Sequence, residues 1–222
     1  MQSKYSIIIP VYNEINTLLE LIQSLQKYYK NGHEIIIVDD GSNDGSYELT
    51  KKYEFIQIIK LDSNQGKGEA LKIGINSALN DKLIIFDGDL ELNPKEIQKL
   101  MILDKKAGSN CTFAYRTGMS FFSPWTIGNR VLTFVFNFIH KSDIHDALCC
   151  AKSFYKTDII TSNLKASGFD IDVEIASILV SVYKDVTNVS IDYNRRTMKQ
   201  GKKLKLKDTF IILKKILTFF NK

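Results

Sequence analysis

The sequence predicts a single α/β domain with a mostly parallel central sheet flanked by helices, and two observations support this class. Short apolar runs alternate with segments of helical spacing through the first hundred residues, a pattern typical of strand–helix–strand units with parallel strands. The apolar runs also end in polar residues, as strands do at the edge of a sheet that binds a ligand. With 222 residues, 44% of them hydrophobic, the chain is long and apolar enough for a sizeable core.

The predicted elements alternate from the N-terminus. Each strand is a short apolar run closed by turn residues, such as Pro10 after the first and an Asp-Asp-Gly-Ser turn after the second. Each helix carries apolar residues at intervals of three and four, and the first stops at an Asn-Gly pair, a common helix end. In order, the elements are a strand at 5–9, a helix at 14–29, a strand at 34–38, a helix at 44–53, a strand at 55–61, a helix at 66–79, a strand at 83–86 and, in the second half, a strand at 111–115.

The charge is unevenly distributed along the chain. Residues 195–222 contain ten Lys or Arg and one acidic residue, a local charge of +9, so the preceding 194 residues carry −4 within the net charge of +5. A basic tail of this kind suits the phosphate groups of a nucleotide, a lipid or a nucleic acid.

Cysteine usage and hydropathy indicate the compartment. The three cysteines, two of them adjacent, do not suggest a disulfide framework and fit a reducing environment. The N-terminus enters a strand-like run without a long apolar signal region, and no apolar stretch is long enough to span a bilayer. We therefore expect a cytoplasmic protein that is either free or peripherally associated with the cytoplasmic face of a membrane.

Two carboxylates follow the strand at 83–86. Asp87 and Asp89 are separated by one glycine, and Glu91 lies two residues further on. Carboxylates at the end of a buried strand are costly unless something compensates them, and Gly88 lets the backbone approach a ligand closely. Oxygen ligands at this spacing suit a hard divalent cation, Mg²⁺ or Mn²⁺, that also holds a diphosphate. The alternative is an acidic turn that only caps the next helix.

Polar residues follow four of the predicted strands. Because the carboxyl ends of parallel strands meet at one edge of a sheet, these residues predict a shared binding crevice. The chain contains neither Gly-x-Gly-x-x-Gly nor Gly-x-x-x-x-Gly-Lys-Ser/Thr, which disfavours dinucleotide dehydrogenases and P-loop enzymes. The strand ends are Tyr12 to Glu14, Asp39 with Asp40, Asn64 to Lys67, and Asp87 with Asp89.

Four of these segments resemble, in order and spacing, the family 2 glycosyltransferases. They are IIIPVYNE at 7–14, VDDGSNDGS at 38–46, NQGKGEA at 64–70 and DGD at 87–89. The resemblance implies a GT-A-type fold, a nucleotide-diphospho-sugar donor, a divalent cation and inversion at the anomeric carbon. It implies metal binding by Asp87 and Asp89, and the spacing of the carboxylates adds Glu91 as a third candidate. The implied donor-binding residues are Pro10, Tyr12, Glu14, Asp39, Asp40, Lys67, Asp87, Gly88 and Asp89.

The second half resembles the polyprenyl-phosphate sugar synthases, of the dolichyl-phosphate mannose and glucose synthase type. The matching segments are DALCCAKSF at 146–154, GFDIDVE at 168–174, and YNRRT at 193–197 followed by GKKL at 201–204, in which Arg195 takes the place of a proline. The residues implied in binding the acceptor phosphate are Arg116, Arg130, Arg196 and Lys203.

The resemblance also implies the organisation and partners of the chain. One glycosyltransferase domain is expected at 1–200, with a donor-nucleotide half at 1–106 and an acceptor half at 107–200, followed by a basic amphipathic tail at 201–222. The expected partners are a nucleotide-diphosphate sugar, a polyprenyl phosphate and an anionic membrane surface, without nucleic acid. Homo-oligomerisation is left open.

Whether the reaction needs a general base depends on the chemical class of the acceptor. A phosphate is already an anion and needs no strong general base, so catalysis would depend on positioning and charge supplied by Asp89, Arg116 and Arg130. A carbohydrate hydroxyl, as in surface polysaccharide assembly, would need a base, for which Asp146 is the best candidate. A non-enzymatic membrane-binding module is the alternative from another class, and it leaves the paired carboxylates unexplained.

Two segments are predicted to be amphipathic helices in a membrane interface. In residues 125–139, Arg130 lies on a narrow polar arc and apolar side chains cover the remainder. In residues 207–220, lysines lie opposite the apolar side. Ordinary packing of both helices on the protein is the alternative. The apolar arc of the second segment consists of Phe210, Ile212, Leu213, Ile216, Leu217, Phe219 and Phe220.

Overall fold

Seven strands form one sheet in the computed structural model, which describes residues 3–119, 123–196 and 206–218. The strands are β1 (Tyr5–Val11), β2 (Glu34–Asp39), β3 (Gln57–Lys60), β4 (Lys82–Ile85), β5 (Thr112–Thr117), β6 (Lys152–Tyr155) and β7 (Thr187–Asp192). Their order across the sheet is β3-β2-β1-β4-β6-β5-β7.

The pairing confirms the predicted class. Strand β1 is parallel to β2 and β4, β2 is parallel to β3, and β5 is parallel to β7. Only β6 runs against its neighbours, β4 and β5, among the described strands. The sheet is therefore mostly parallel, and the carboxyl ends of β1, β2 and β4 lie at one edge.

Helices cover both faces of the sheet. Helix α1 packs on one face through an apolar cluster that includes Ile7, Ile9 and Leu18. Helices α3, α4, α5 and α6 share the cluster on the opposite face, which includes Ile8 and Val38. The helices are α1 (Ile15–Lys30), α2 (Ser46–Thr50), α3 (Lys67–Ser77), α4 (Pro124–His140), α5 (Ile171–Val182) and α6 (Leu206–Thr218), with 3₁₀ turns at Pro94–Leu100, Lys156–Asp158 and Thr161–Asn163.

The first strand extends beyond its predicted end at Pro10. The carbonyl of Ile8 accepts from the Phe86 N–H, whereas the carbonyl of Val11 accepts from the Asp40 N–H. Because neighbouring residues alternate between sides, the nitrogen of Pro10 faces the β4 side, where β4 has already ended at Ile85. Pro10 cannot donate on that side, and the pairing of β1 with β4 ends at this level, so the proline is tolerated near the end of a central strand.

Strands β6 and β7 were not predicted, and their composition explains why. The β6 sequence KSFY contains two polar residues, yet all four residues are buried. Their polar ends reach carbonyls: Lys152 donates to Cys149 and Ser153 donates to Leu100. Strand β7 is mostly half-buried at the sheet edge. These polar residues can be buried because carbonyl groups outside the strand accept their hydrogen bonds. The sequence of the strand itself therefore shows no alternating or continuous apolar pattern that would predict it.

Candidate active site

The carboxyl ends of β1, β2 and β4 open into a cavity of about 1180 Å³. One part of its wall is rich in carboxylates and lysine, and another part carries arginines and apolar side chains of α4 and α6. The lining includes Pro10, Tyr12, Glu14, Asp40, Lys67, Asp87, Gly88, Asp89, Glu91, Arg116, Trp125, Gly128, Leu132, Phe169, Asp172, Tyr193, Arg195, Arg196, Thr209 and Ile212.

Asp40 fixes the loop that enters α3. Its two carboxylate oxygens accept the N–H groups of Gln65 and Gly66 at 2.7 and 2.9 Å, and burial raises its pKa. Gly66 has a φ of +95°, and a Cβ atom there would clash with the carbonyl oxygen of Ser167. Only glycine therefore allows this loop to lie against the segment before α5, which brings α5 to the cavity.

Lys67 bridges two carboxylates at the centre of the site. Its Nζ atom lies 2.8 Å from Oδ1 of Asp87 and donates to Oδ2 of Asp172 at 2.7 Å. Burial alone would lower the pKa of Lys67, but Asp172 and Asp87 hold it well above its usual value. The Oδ1 atom of Asp172 is buried without a hydrogen-bond partner among the described residues. Since Asp172 lines the cavity, a ligand hydroxyl would satisfy this oxygen.

Negative charge is crowded at the Asp-Gly-Asp turn. Burial and the neighbouring Asp87 raise the pKa of Asp89 to about 6. Burial would also raise the pKa of Asp87, but Lys67 holds it below its usual value. Leu90 has a φ of +57°, a conformation that is costly for a branched residue and that points to local strain beside the two carboxylates.

Arg196 contacts the acids of the donor side. Its Nη1 and Nη2 atoms donate to the Glu14 carboxylate at 2.8 and 3.2 Å, and Nη2 also donates to Oδ2 of Asp89 at 2.9 Å. Its Nε atom is buried without a hydrogen-bond partner among the described residues. The residue predicted to bind the acceptor phosphate is thus held against two residues predicted to bind the donor.

Glu91 is placed differently from a metal ligand. Its carboxylate accepts from the Tyr193 hydroxyl at 2.8 Å and from the Arg196 N–H at 2.8 Å, so it anchors the segment after β7. The metal role predicted for Glu91 is therefore not supported by its geometry. Among the described residues, no group of three or more His, Cys, Asp or Glu side chains is placed to hold a metal ion.

Asp87 and Asp89 nevertheless fit a hard divalent cation. Both carboxylates line the cavity, and burial together with the neighbouring Asp87 raises the pKa of Asp89, so a cation at this place would favour its ionised form. Mg²⁺ is commonly held by one or two carboxylates while substrate phosphates and water complete its coordination. These two side chains are the protein ligands that such an ion would use.

Arg116 is held by a buried carboxylate at the end of β5. Its Nε and Nη2 atoms donate to the two oxygens of Asp146 at 2.7 and 3.0 Å, and Asn129 of α4 donates to the same carboxylate at 3.0 Å. Burial would raise the pKa of Asp146, but Arg116 holds it below its usual value. An acid whose oxygens are occupied and whose proton affinity is lowered is a poor general base, so this geometry does not support that role for Asp146.

The remaining predicted residues lie in several places. Asp39 accepts the Ser42 N–H at 2.8 Å, and its other oxygen is buried without a partner among the described residues. Arg130 is exposed on α4 and is not among the residues that line the cavity. Lys203 lies outside the described residues.

Sequence reasoning missed several cavity residues. Asp172 and Phe169 belong to the segment at 168–174 that the family resemblance singled out without a role. Arg195, which stands where a proline was expected, stacks on the Trp125 ring with 4.7 Å between the guanidinium carbon and the ring centroid. The motif at 168–174 could have identified Phe169 and Asp172 as site residues. No sequence pattern indicates that Arg195 contacts Trp125.

Comparison with known proteins identifies relatives by sequence. Residues 6–160 match the family model described as glycosyl transferase family 2. The chain is 33% identical over 133 residues to an uncharacterized glycosyltransferase of Bacillus subtilis, covering 55% of this chain and 41% of that protein. It is 36% identical over 107 residues to the undecaprenyl-phosphate 4-deoxy-4-formamido-L-arabinose transferase of Proteus mirabilis, covering 45% and 33%. The chain thus spans about a third to two fifths of the length of these relatives.

Comparison of structures supports the fold. Glucosyl-3-phosphoglycerate synthase from Mycobacterium tuberculosis, solved with Mn²⁺, UDP and glucosyl-3-phosphoglycerate, aligns over 99% of this chain and 80% of its own with a TM-score of 0.72 and 15% identity. TarS of S. aureus aligns over 97% of this chain and 71% of its own with a TM-score of 0.62 and 16% identity. The predicted GT-A-type fold is confirmed.

Proposed function

Because the chain belongs to glycosyl transferase family 2, we propose that it transfers a sugar from a nucleotide-diphosphate sugar to the phosphate of a polyprenyl phosphate, with inversion, at the cytoplasmic face of a membrane. The sequence relatives that carry undecaprenyl phosphate in their names support the choice of acceptor. They match this chain over less than half of its length, so the choice of acceptor depends mainly on the cavity itself.

The shape and charge of the cavity carry the proposal. A single cavity connects the carboxylates of Asp87 and Asp89 with a wall that holds Arg116 and the apolar side chains of Leu132 and Ile212. The first group suits a cation and a diphosphate, and the second suits an acceptor with an anionic head and an apolar body. A carbohydrate acceptor would not need the apolar wall.

At the donor end, the residues hold and orient the leaving group. Asp87 and Asp89 would hold Mg²⁺ or Mn²⁺ on the diphosphate, and the bound ion would neutralise charge that develops on the departing nucleoside diphosphate. Lys67 lies beside Asp87 and adds positive charge at the same place. Arg196 contacts Asp89 and Glu14, so its guanidinium lies between the donor carboxylates and the acceptor side of the cavity, where it would add positive charge near both phosphate groups.

At the acceptor end, positioning replaces proton transfer. An oxygen of the acceptor phosphate attacks the anomeric carbon, the bond from that carbon to the diphosphate oxygen breaks, and the electron pair leaves with the nucleoside diphosphate. Arg116 would aim the phosphate through the guanidinium nitrogen that Asp146 does not engage. Because the nucleophile is already anionic, the ion-paired Asp146 is compatible with this reaction, whereas a hydroxyl acceptor would need a base that this carboxylate is poorly placed to provide.

The proposed function predicts that sugar label enters the organic phase. Incubating the full chain with Mn²⁺, undecaprenyl phosphate and a panel of labelled nucleotide sugars should give one donor whose label is extracted with the lipid. The product should release its sugar in mild acid, as a glycosyl phosphate does, and removal of the ion by EDTA should stop its formation. Label that enters only a water-soluble saccharide would contradict the polyprenyl-phosphate acceptor and support the carbohydrate alternative.

Apolar side chains of α4 and α6 provide the proposed membrane-facing surface. Phe134 and Phe138 of α4 are 71% and 72% exposed, and Phe210 of α6 is 74% exposed. Such an area on adjacent helices, with basic residues beside it, suits an anionic bilayer interface. We define the membrane-facing surface as Ile127, Val131, Phe134 and Phe138 of α4 with Phe210, Ile211 and Leu217 of α6.

The arc predicted on the C-terminal helix is divided in the structure. Ile212 and Ile216, which were predicted on the membrane-facing arc, are buried in the core. Lys215, which was predicted on the opposite side, lies 3.2 Å from Glu174 of α5. Phe210 and Leu217 are exposed, and Phe219 and Phe220 lie outside the described residues. Deleting the helix would therefore uncover core as well as remove exposed apolar groups, and point variants are the better test. Among the described residues, no helix has both the length and the apolar character needed to cross a bilayer.

The double variant Phe134→Ser/Phe138→Ser should bind anionic vesicles at least about tenfold more weakly than the native chain, because each lost phenylalanine forgoes about 1.5–3 kcal/mol of burial. Co-sedimentation with phosphatidylglycerol vesicles measures this. Leu79→Ser is the matched control, since Leu79 is 87% exposed at the opposite end of the sheet. Equal loss of binding in both variants, or in neither, would contradict the membrane-facing surface.

A further inference from the structure

The apolar part of the cavity wall is built by two helices that pack together. From α4, Trp125, Gly128 and Leu132 line the cavity, at the spacing of one helix face, and from α6 Thr209 and Ile212 line it. Leu132 and Ile212 belong to the buried core, so this wall is part of the folded domain. The space between the helices is therefore a groove that opens into the cavity, with Leu132 and Ile212 buried and Trp125 partly exposed.

Gly128 leaves open room in this groove. Among the residues that the structure describes, a Cβ atom built on Gly128 meets nothing within 4 Å outside its own helix backbone, although the residue lies within the N-terminal part of α4. Glycine is unfavourable inside a helix compared with alanine, and no close packing by the described part of the chain explains its presence at this position. A ligand lying against the helix backbone at Gly128 would use the room that the missing side chain leaves.

The groove is continuous with the proposed phosphate site. Asn129, the next residue along α4, donates to Asp146 at 3.0 Å, and Asp146 holds Arg116. On its other side α4 carries the exposed Phe134 and Phe138. A ligand with its phosphate at Arg116 would thus have the groove directly beside its head group, with the membrane-facing surface on the same helix.

We infer that the groove between α4 and α6 binds the first isoprenoid units of the acceptor chain, so that the enzyme recognises the prenyl chain as well as the phosphate. This rests on the proposed function and deepens it by naming what part of the acceptor the protein itself contacts. An apolar wall beside an arginine matches an alkenyl phosphate, because the arginine would face the phosphate and the wall would face the first part of the alkenyl chain.

The single tryptophan of the chain makes the groove directly observable. Trp125 is the only tryptophan and lines the groove, so its emission reports on occupancy. Titrating the full chain with farnesyl phosphate, without membranes and below micelle formation, should shift Trp125 emission to shorter wavelength with saturation. Inorganic phosphate at the same concentration should leave the emission unchanged. This control is needed because Arg195, which lies beside Trp125, could attract a phosphate group without any binding of the prenyl chain.

Gly128→Leu should fill the groove while favouring the helix, because leucine is the better helix former. We expect at least a tenfold loss in kcat/KM for farnesyl phosphate and loss of the emission shift, with nucleoside diphosphate binding and melting temperature preserved. Methyl phosphate, which has the head group without the chain, should be used equally by the native chain and the variant. Gln23→Leu on α1, an exposed helix position far from the cavity, is the matched control and should change none of these.

The outcomes separate the two proposals. If farnesyl phosphate is an acceptor and Gly128→Leu uses it as well as the native chain does, the groove assignment is wrong while the proposed function stands. If the native protein shows no emission shift with farnesyl phosphate, the groove does not bind the prenyl group. If no prenyl phosphate of any length accepts sugar, the proposed function fails, and the groove assignment falls with it.

Discussion

Asp89→Asn should reduce sugar transfer by about a thousandfold while the protein stays folded. The cation that Asp87 and Asp89 would share contributes several kcal/mol to stabilising the leaving diphosphate, and each 1.4 kcal/mol is worth a factor of ten. The asparagine side chain keeps the shape of the aspartate, including an oxygen that can accept the Glu91 N–H as Oδ1 does at 3.0 Å. What it removes is one negative charge at the mouth of the cavity.

The expected change in the stability of Asp89→Asn relative to the native chain follows from the pKa of Asp89. Burial and Asp87 raise the pKa of Asp89 to about 6, so at neutral pH the ionised side chain is less favourable in the folded chain than in the unfolded one. Removing the charge should therefore leave the melting temperature unchanged or raise it, although one of the Arg196 contacts is lost. Arg196 keeps its two bonds to Glu14.

Calorimetric titration with Mn²⁺ and a nucleoside diphosphate tests the reason for the loss. Asp89→Asn should abolish the metal-dependent part of nucleotide binding, whereas Asp62→Asn, at an exposed position outside the cavity lining, should match the native chain. Transfer within a few-fold of native by the Asp89 variant would show that this carboxylate does not hold the cation.

The donor half of the site could be predicted because it depends on local rules. A buried strand, a turn and the next helix leave their pattern within about ten residues, and parallel strands end at one edge. The residues at 12–14, 39–40, 64–67 and 87–89 were accordingly predicted to converge, and all four groups contribute to the cavity or to the loops that form it. The contact between the loop at 64–67 and the segment before α5 also depends on a local feature, because the glycine at position 66 allows the close approach.

The acceptor half could not be predicted in the same detail because it depends on contacts between distant residues. Arg196 and Glu14 are separated by 182 positions, and nothing near either residue indicates the ion pair. Arg116, 30 positions away, holds the pKa of Asp146 below its usual value, and nothing near Asp146 in the sequence indicates that this candidate general base is ion-paired. The predicted arc on α6 failed for the related reason that a helical wheel shows which residues share a side and not what covers it.

Arg116→Ala should abolish transfer and also destabilise the fold by about 3–5 kcal/mol, because it leaves the carboxylate of Asp146 buried without its partner. Both side chains are largely buried, at 18% and 3% exposure, so solvent does little to screen the loss. Urea unfolding should show a lower midpoint with an unchanged slope. Taken alone, such a variant would confuse an acceptor-binding role with a folding role.

The double variant Arg116→Gln/Asp146→Asn separates the two roles, because it replaces the ion pair by neutral side chains that can bond each other and Asn129. We expect it to regain most of the lost stability, since a neutral buried pair avoids the cost of an unpaired charge. Transfer to a prenyl phosphate should stay at least about a hundredfold below native, because the cation that aims the phosphate is gone. Nucleoside diphosphate binding should be native-like, since both residues lie outside the contacts of Asp87 and Asp89. A stable double variant with native transfer would exclude Arg116 from the acceptor site, and loss of nucleotide affinity instead of transfer would move it to the donor side.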